Sequence, residues 1–442
     1  MKHVILGAGP AGVIAAETIR KHRAHDEIVV IGDEPEAPYS RMAIPYLLIG
    51  KVAEEGTHLR HTPGHFAALR ITVKQGRATR VDVARRCVLL EDGSSEPFDK
   101  LLIATGSSPA TPPIPGIDGE GVHPCWTLAD ARKIMALAQP GARVLQMGAG
   151  FIGCIIMEAL AVRGVQLSVV EMGDRMVPRM MGPTAGGMIK DWCEKKGVAV
   201  YTGARVEAIE RPVAAAAQVA APAAPVAPAA PMSVRLSTGQ RLDADLVISA
   251  TGVKPNIGFL EDSGILCLIG VLTDEHLQTN LPGIYAAGDC AEAFDKVSGR
   301  TIVSAIQPNA AEQARVAALN MAGQVTELKG VTQINVLDTL GLISASFGQW
   351  DGVPGGEQVE LVDRTGLGGQ GKLLSLQFSG DKLVGCNAIG WTEHVGVMRG
   401  LVEGEVRLSA DWKQRLMQDP TLLMEAYLAN AQGQQAMAHV RG

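Results

Sequence analysis

The chain has 442 residues, 47% hydrophobic and 19% charged, with a net charge of −6. That balance has no basic excess to hold a phosphate backbone, and no run of about 18 apolar residues offers a membrane span, so nucleic-acid and membrane-spanning roles are set aside. The seven cysteines are never closer than the 23 residues between Cys267 and Cys290, which excludes CxxC pairs and zinc knuckles. Their odd number argues against a disulfide framework.

In chain order, Val4-Ile5-Leu6 reads as a strand, Gly7-Ala8-Gly9-Pro10-Ala11-Gly12 as a glycine turn, and the alanine-rich stretch to His22 as a helix. With strand and turn this early, no signal peptide is expected, and a cytoplasmic location is. A second strand, Ile28–Ile31, leads to Asp33-Glu34. His58, His61 and His65 lie close together, but Pro63-Gly64 breaks any helix that would align them, so a solvated loop is expected and no metal site.

The same signal returns at Val144–Met147, a strand followed by Gly148-Ala149-Gly150-Phe151-Ile152-Gly153, a helical stretch, and the strand Ser168–Glu171. Asp33 follows Gly12 by 21 residues and Glu171 follows Gly153 by 18. Both intervals are near the ~20 of a dinucleotide fold. In such a fold the first glycine makes the turn, the second admits a pyrophosphate, and the third lets helix pack on strand. The acid takes ribose hydroxyls, so two nucleotide cofactors are expected. Glu171 would repel a 2′-phosphate and favours NADH over NADPH, with Arg175 near enough in sequence to soften that preference.

From Pro212 to Pro231, eleven alanines and five prolines interrupt the chain between strands expected around Ala204–Glu210 and Ser233–Leu236. Proline forbids a continuous helix there, so a mobile hairpin loop without chemistry is expected. Cys290 reads as a small buried hydrophobe and Trp391 as core packing. Strands are expected at Leu373–Phe378 and Leu383–Ile389, and helices at Asp411–Met417 and Pro420–Ala431.

Four further segments carry a resemblance. Leu102-Ile103-Ala104-Thr105-Gly106 and Ile248–Asn256 look like paired crossovers between two Rossmann domains. Thr279–Asp289 and Pro38-Tyr39-Ser40-Arg41 look like flavin motifs. Together with the glycine turns, they resemble the FAD-dependent pyridine-nucleotide oxidoreductases over residues 1–325. The loop Tyr39-Ser40-Arg41 … Pro45-Tyr46 points to the rubredoxin-reductase and nitrite-reductase flavin-domain branch.

The fold this implies is α/β, with two Rossmann-like dinucleotide-binding domains and a C-terminal α+β interface domain that begins with Ile334–Gly348. The FAD domain (1–113 and 253–329) would hold an inserted NAD domain (114–252), and the interface domain would span 330–442. For FAD, the resemblance implies contacts from Gly7, Gly9, Pro10, Ala11 and Gly12, with Asp33 and Glu34 on the ribose and Arg41 on the diphosphate side. It adds Ala78, Thr105, Gly106 and Trp126. Gly288 and Asp289 would meet the ribityl chain, and Gln307 would open a helix under the flavin pyrimidine. For NAD it implies Gly148, Gly150, Phe151, Ile152, Gly153, Glu171 and Gly252. No side chain is expected as catalyst, because the flavin itself carries the chemistry.

Three positions depart from the family pattern. Ile155 stands where a glutamate usually follows the second turn, with Glu158 three residues on. Trp126 replaces an arginine that contacts FAD. Met42 occupies the place of the single reactive cysteine, and a thioether cannot form a mixed disulfide. The expected function is therefore hydride uptake from NADH by FAD, with electrons passed directly to an iron–sulfur or rubredoxin-like protein or a partner subunit. The alternatives are a flavoprotein with a weakened nicotinamide site acting as a subunit of a larger complex, or a reductase of a small acceptor such as a quinone. A homodimer through the C-terminal domain is a further expectation.

Overall fold

The computed structural model describes residues 1–211, 231–331, 333–365 and 370–431, so the Ala/Pro segment expected as a hairpin loop lies, apart from Pro231, outside the described residues. The chain divides into two compact units, one of residues 1–108 and 253–333, the other of residues 109–252 and 334–442.

The first unit is built on a five-stranded parallel sheet, in the order Ile284–Ala286, Lys100–Ile103, Lys2–Leu6, Glu27–Gly32, Ile71–Gln75. Its central strands are near-continuous apolar runs because both faces are covered. Ile5, Val30 and Leu102 point to one face, where helices Pro10–His22 and Gln307–Met321 pack through Ala15, Ile19, Ala314, Ala317 and Ala318. Val4, Leu6, Val29, Ile31 and Leu101 point to the other, against Val81, Val88 and Leu90 of a small antiparallel sheet. The period of two thus sorts one strand's side chains into two cores.

In the second unit, a parallel sheet runs Ala199–Thr202, Gln166–Glu171, Arg143–Met147, Leu246–Ser249, Val122–His123. Helix Phe151–Val162 follows the central strand. Three antiparallel strands, Val206–Glu210, Met232–Leu236 and Arg241–Ala244, complete this part, with Glu210 directly opposite Ser233. The remainder is a five-stranded antiparallel sheet in the order Ile334–Thr339, Leu342–Gly348, Lys382–Ile389, Lys372–Ser379, Glu357–Asp363, with Phe347 and Phe378 fully buried. Helices Val395–Glu403 and Ala410–Gln418 follow, then a 3-10 turn at Pro420–Leu422 and helical backbone over 423–431. Among the described residues, no helix is long and apolar enough to cross a membrane.

Candidate functional site

The two glycine turns have the same geometry. Gly7 has φ +113°, and a Cβ there would sit 2.0 Å from the Ala104 carbonyl oxygen; Gly148 has φ +96°, with the Ala250 carbonyl 2.4 Å away. Each first glycine is therefore required twice over, by its dihedral and by the neighbouring crossover strand. A Cβ on Gly12 would fall 1.9 Å from the Gly7 carbonyl, and one on Gly153 would fall 2.5 Å from that of Gly148. The second glycines differ in kind. Gly9 and Gly150 have φ near −75° and extended ψ, which any residue adopts, and a Cβ on either meets no described atom within 4 Å. Nothing inside the described chain demands glycine at these two places. A pyrophosphate resting on the backbone would demand it.

Both helices open without a described side-chain cap, so their first N–H groups face outward with the positive end of the helix dipole. Pro10 sits in the first turn of its helix, where a missing N–H costs nothing, and Ala11 is buried behind it. Phe151 and Ile152 begin the second helix and are half-buried.

The acids after the second strands are held differently. Glu171 accepts from the Ala149 N–H and the Gly173 N–H, each at 2.7 Å, so its own turn fixes the carboxylate. Asp33 is exposed, with Arg77 at 3.4 Å. Glu34 accepts from Tyr39 Oη at 2.5 Å and Arg41 at 2.7 Å, so Arg41, expected on the diphosphate side, is salt-bridged to a residue expected on the ribose. Arg175, four residues beyond Glu171, is tied into its own loop. Its nitrogens bond the Met181 carbonyl (2.9 Å), Asp174 (2.7 Å) and the Pro178 carbonyl (3.3 Å).

Asp289 accepts from Ser107 Oγ at 3.0 Å, and burial pushes its carboxyl above the usual range against the opposing pull of Ser107 and Arg41. Gly288, at φ +82°, donates its N–H to Gln313 Oε1 at 2.7 Å. Gln307 opens a helix that no described side chain caps, and it accepts from Ser40 Oγ at 2.8 Å. Thr105 and Asn256 are cross-linked, Thr105 Oγ1 to the Asn256 carbonyl at 2.8 Å and Asn256 Nδ2 to the Thr105 carbonyl at 2.9 Å. Gly106 follows at φ +65°. Gly7 through Gly12, Asp33, Glu34, Arg41, Ala78, Thr105, Gly106, Gly288, Asp289 and Gln307 all belong to the first unit, with Ala78 opening the strand Ala78–Asp82. Trp126 is not among them. It lies in the second unit, where its N–H donates to Asp130 beside the capping box of helix Leu128–Leu137. Gly252, at φ +107°, is also in the second unit and accepts from the Ala110 N–H at 2.9 Å.

Met42 is 47% exposed in the short turn Arg41–Ala43. All seven cysteines are unpaired, and five are buried. Burial pushes Cys125 and Cys193 up to about 12 and raises Cys154, Cys290 and Cys386 as well. None of these five is poised as a thiolate. Residues 61–64 of the histidine loop are exposed, and the half-buried His65 beside them bonds Glu17 at 2.8 Å, with Arg60 on the same carboxylate. Burial raises Glu17, but those two partners outweigh it and hold the carboxyl below its usual range. Trp391 departs from core packing as well. It is half-buried beside a cavity of about 160 Å³ that His394 and Met398 also line, with the Lys372 ammonium 5.8 Å from its ring. Among the described residues, no cluster of His, Cys, Asp and Glu could hold a metal ion.

Ser107 carries no expected role, and Gln313 is expected only as part of the helix that Gln307 opens under the flavin. The legible signal for Gln313 is a lone, fully buried amide on an otherwise alanine-lined helix face.

A family model described as pyridine nucleotide-disulphide oxidoreductase matches residues 1–318. The NADH-dependent phenylglyoxylate dehydrogenase subunit epsilon of Aromatoleum evansii is 33% identical over 91% of this chain and 91% of its own length. The NADH oxidase of Methanocaldococcus jannaschii is 32% identical over 88% of each. Among solved structures, a NAD-dependent persulfide reductase from A. fulgidus superposes with a TM-score of 0.81 at 27% identity, over 92% of this chain and 77% of that one. Two glycine turns of one geometry, their acids, and these relatives converge: the chain belongs to the pyridine nucleotide-disulphide oxidoreductase family and is an FAD-dependent, NADH-using oxidoreductase.

Proposed function

We propose that this chain takes hydride from NADH and passes the electrons directly, without a sulfur relay, to an iron–sulfur or rubredoxin-like protein or to a partner subunit. The observation that carries this reading is Met42 in the place of a reactive cysteine, together with five buried cysteines. Bound FAD supplies conversion of a two-electron donor into one-electron steps. The protein's part is placement. Gly7 through Gly12 would hold the FAD pyrophosphate on backbone N–H groups, Asp33 or Glu34 its ribose, and Asp289 its ribityl hydroxyls. The uncapped N-terminus of helix Gln307–Met321 favours negative charge near it. Gly148 through Gly153 would hold NADH, with Glu171 on the adenosine ribose. Arg175 is committed to its own loop, which supports NADH over NADPH.

The relative from A. evansii is a subunit of an NADH-dependent dehydrogenase, and this favours a partner subunit as acceptor. The test is anaerobic reduction with one NADH per flavin, followed by disulfides, peroxide, quinones and one-electron protein acceptors in turn. Fast reoxidation by the iron–sulfur or rubredoxin-type acceptor is expected. Rapid turnover of a disulfide or peroxide that survives Cys290→Ser overturns the reading.

A further inference from the structure

The loop that follows Glu171 is pinned at two places. Val177 is 1% exposed and has φ +49°, a conformation a β-branched residue keeps only where its surroundings over-determine it. Its N–H donates to the Ala149 carbonyl at 2.9 Å, and its carbonyl accepts from Met180 at 2.9 Å and Met181 at 3.0 Å. Ala149 lies between the first two glycines of the second turn, and its N–H is the one that holds Glu171. The strained turn therefore fixes one side of Ala149 while Glu171 fixes the other.

The second pin comes from far along the chain. Asn387, on strand Lys382–Ile389, is 2% exposed. Its Oδ1 accepts from the Gly182 N–H at 2.8 Å, and its Nδ2 donates to the Met180 carbonyl at 2.9 Å. One buried amide thus satisfies a donor and an acceptor of the same loop, and Met180 is also the residue that closes the turn on Val177.

We infer that Asn387 is a positioning residue for the nicotinamide nucleotide: through Met180 and Gly182 it holds the Val177 turn, which holds the Ala149 peptide inside the second glycine turn. Without the amide, Val177 relaxes to an unstrained dihedral and its bond to Ala149 lengthens. The N–H groups around Gly150 then lose their common direction. The clamp acts on binding, since no group it touches is a candidate for the hydride step. This inference rests on the proposed reading of the second turn as the NADH site.

The test is rapid anaerobic mixing of the holoenzyme with NADH, which separates Kd from the limiting rate of flavin reduction. Asn387→Ala raises Kd about tenfold, and the limiting rate stays within about twofold. Adding Val177→Gly to that variant restores most of the affinity, because glycine takes φ +49° without strain. Thr184→Val removes a hydrogen bond (2.8 Å to Glu360) that also ties helix Pro183–Lys195 to the C-terminal sheet, and it leaves Kd unchanged. If Asn387→Ala does not yield holoenzyme, the near-isosteric Asn387→Asp is measured, with the same direction expected. An unchanged Kd in the Asn387 variants, or an equal loss in Thr184→Val, overturns the clamp. Failure of the underlying reading looks different: wild type shows no saturable dependence on NADH, or Gly150→Val binds as well as wild type.

Discussion

The two glycine turns are near-copies in backbone and unlike in what surrounds them. In both, the first and third glycines answer to the protein's own atoms, and the second answers to open space. The differences begin at the acid. Glu171 is fixed by two N–H groups of its own turn, whereas Asp33 is exposed and Glu34 is shared by Tyr39 and Arg41. The backing differs too, a helix bearing Gln313 behind the first site and a loop clamped by Asn387 behind the second. The two regions thus share the turn and diverge after the second strand; on the proposed reading, anion recognition belongs to the shared turn and the choice of nucleotide to the segments that follow.

The strongest way to test that division is to add one methyl group where the protein itself forbids it. Gly7→Ala puts a Cβ 2.0 Å from the Ala104 oxygen at φ +113°, and we expect a loss of about 4 kcal/mol or more, read as failure to recover folded protein. Gly148→Ala, at 2.4 Å, should behave alike. The second glycines should break the pattern. Gly9→Val and Gly150→Val should still yield folded protein in the cofactor-free state, with melting temperatures lowered far less than in the first-glycine variants, the remaining cost of about 1 kcal/mol coming from valine at an N-cap. Gly9→Val purifies colourless, and Gly150→Val stays yellow but needs about a hundredfold more NADH for half-maximal bleaching. A yellow Gly9→Val protein removes the pyrophosphate role from that turn.

A smaller effect sharpens the contrast between the acids. Glu171→Ala should cut the preference for NADH over NADPH about tenfold, measured as the ratio of kcat/KM values. Asp33→Ala should leave that ratio unchanged.

The smallest effect concerns Glu17, which ties the loop bearing Arg60 and His65 to the first helix. Its folded pKa lies below the unfolded one, so its contribution is present above the unfolded value near 4.3 and fades as pH falls through the folded one. Glu17→Gln should cost roughly 1 kcal/mol at pH 7, and the gap should narrow as pH falls below the unfolded value, followed by urea melts. A gap that widens on acidification contradicts the ion pair.

Much of this contrast is visible before any coordinates. Strand, turn, helix and acid lie within about thirty residues of each other, and local spacing preserves their order. The alternation of Val4, Ile5 and Leu6 between two cores follows from the same local rule. What escapes is polar and distant in sequence. Asn387 meets Gly182 across 205 positions and Ser107 meets Asp289 across 182, and a single buried polar side chain leaves no periodic trace. The tie between His65 and Glu17 is silent in the sequence for the same reason, since the two lie 48 residues apart on different elements.

Glu210 and Ser233 face each other as a ladder pair, so the chain leaves the sheet and re-enters it at adjacent points. Two chain ends held side by side in this way tolerate a longer connection at small cost, because doubling a closed loop adds only about 0.6 kcal/mol of entropy. An affinity tag, a fluorescent reporter or a tether to an electrode inserted between Glu210 and Ser233 should therefore leave the register of strands Val206–Glu210 and Met232–Leu236 unchanged.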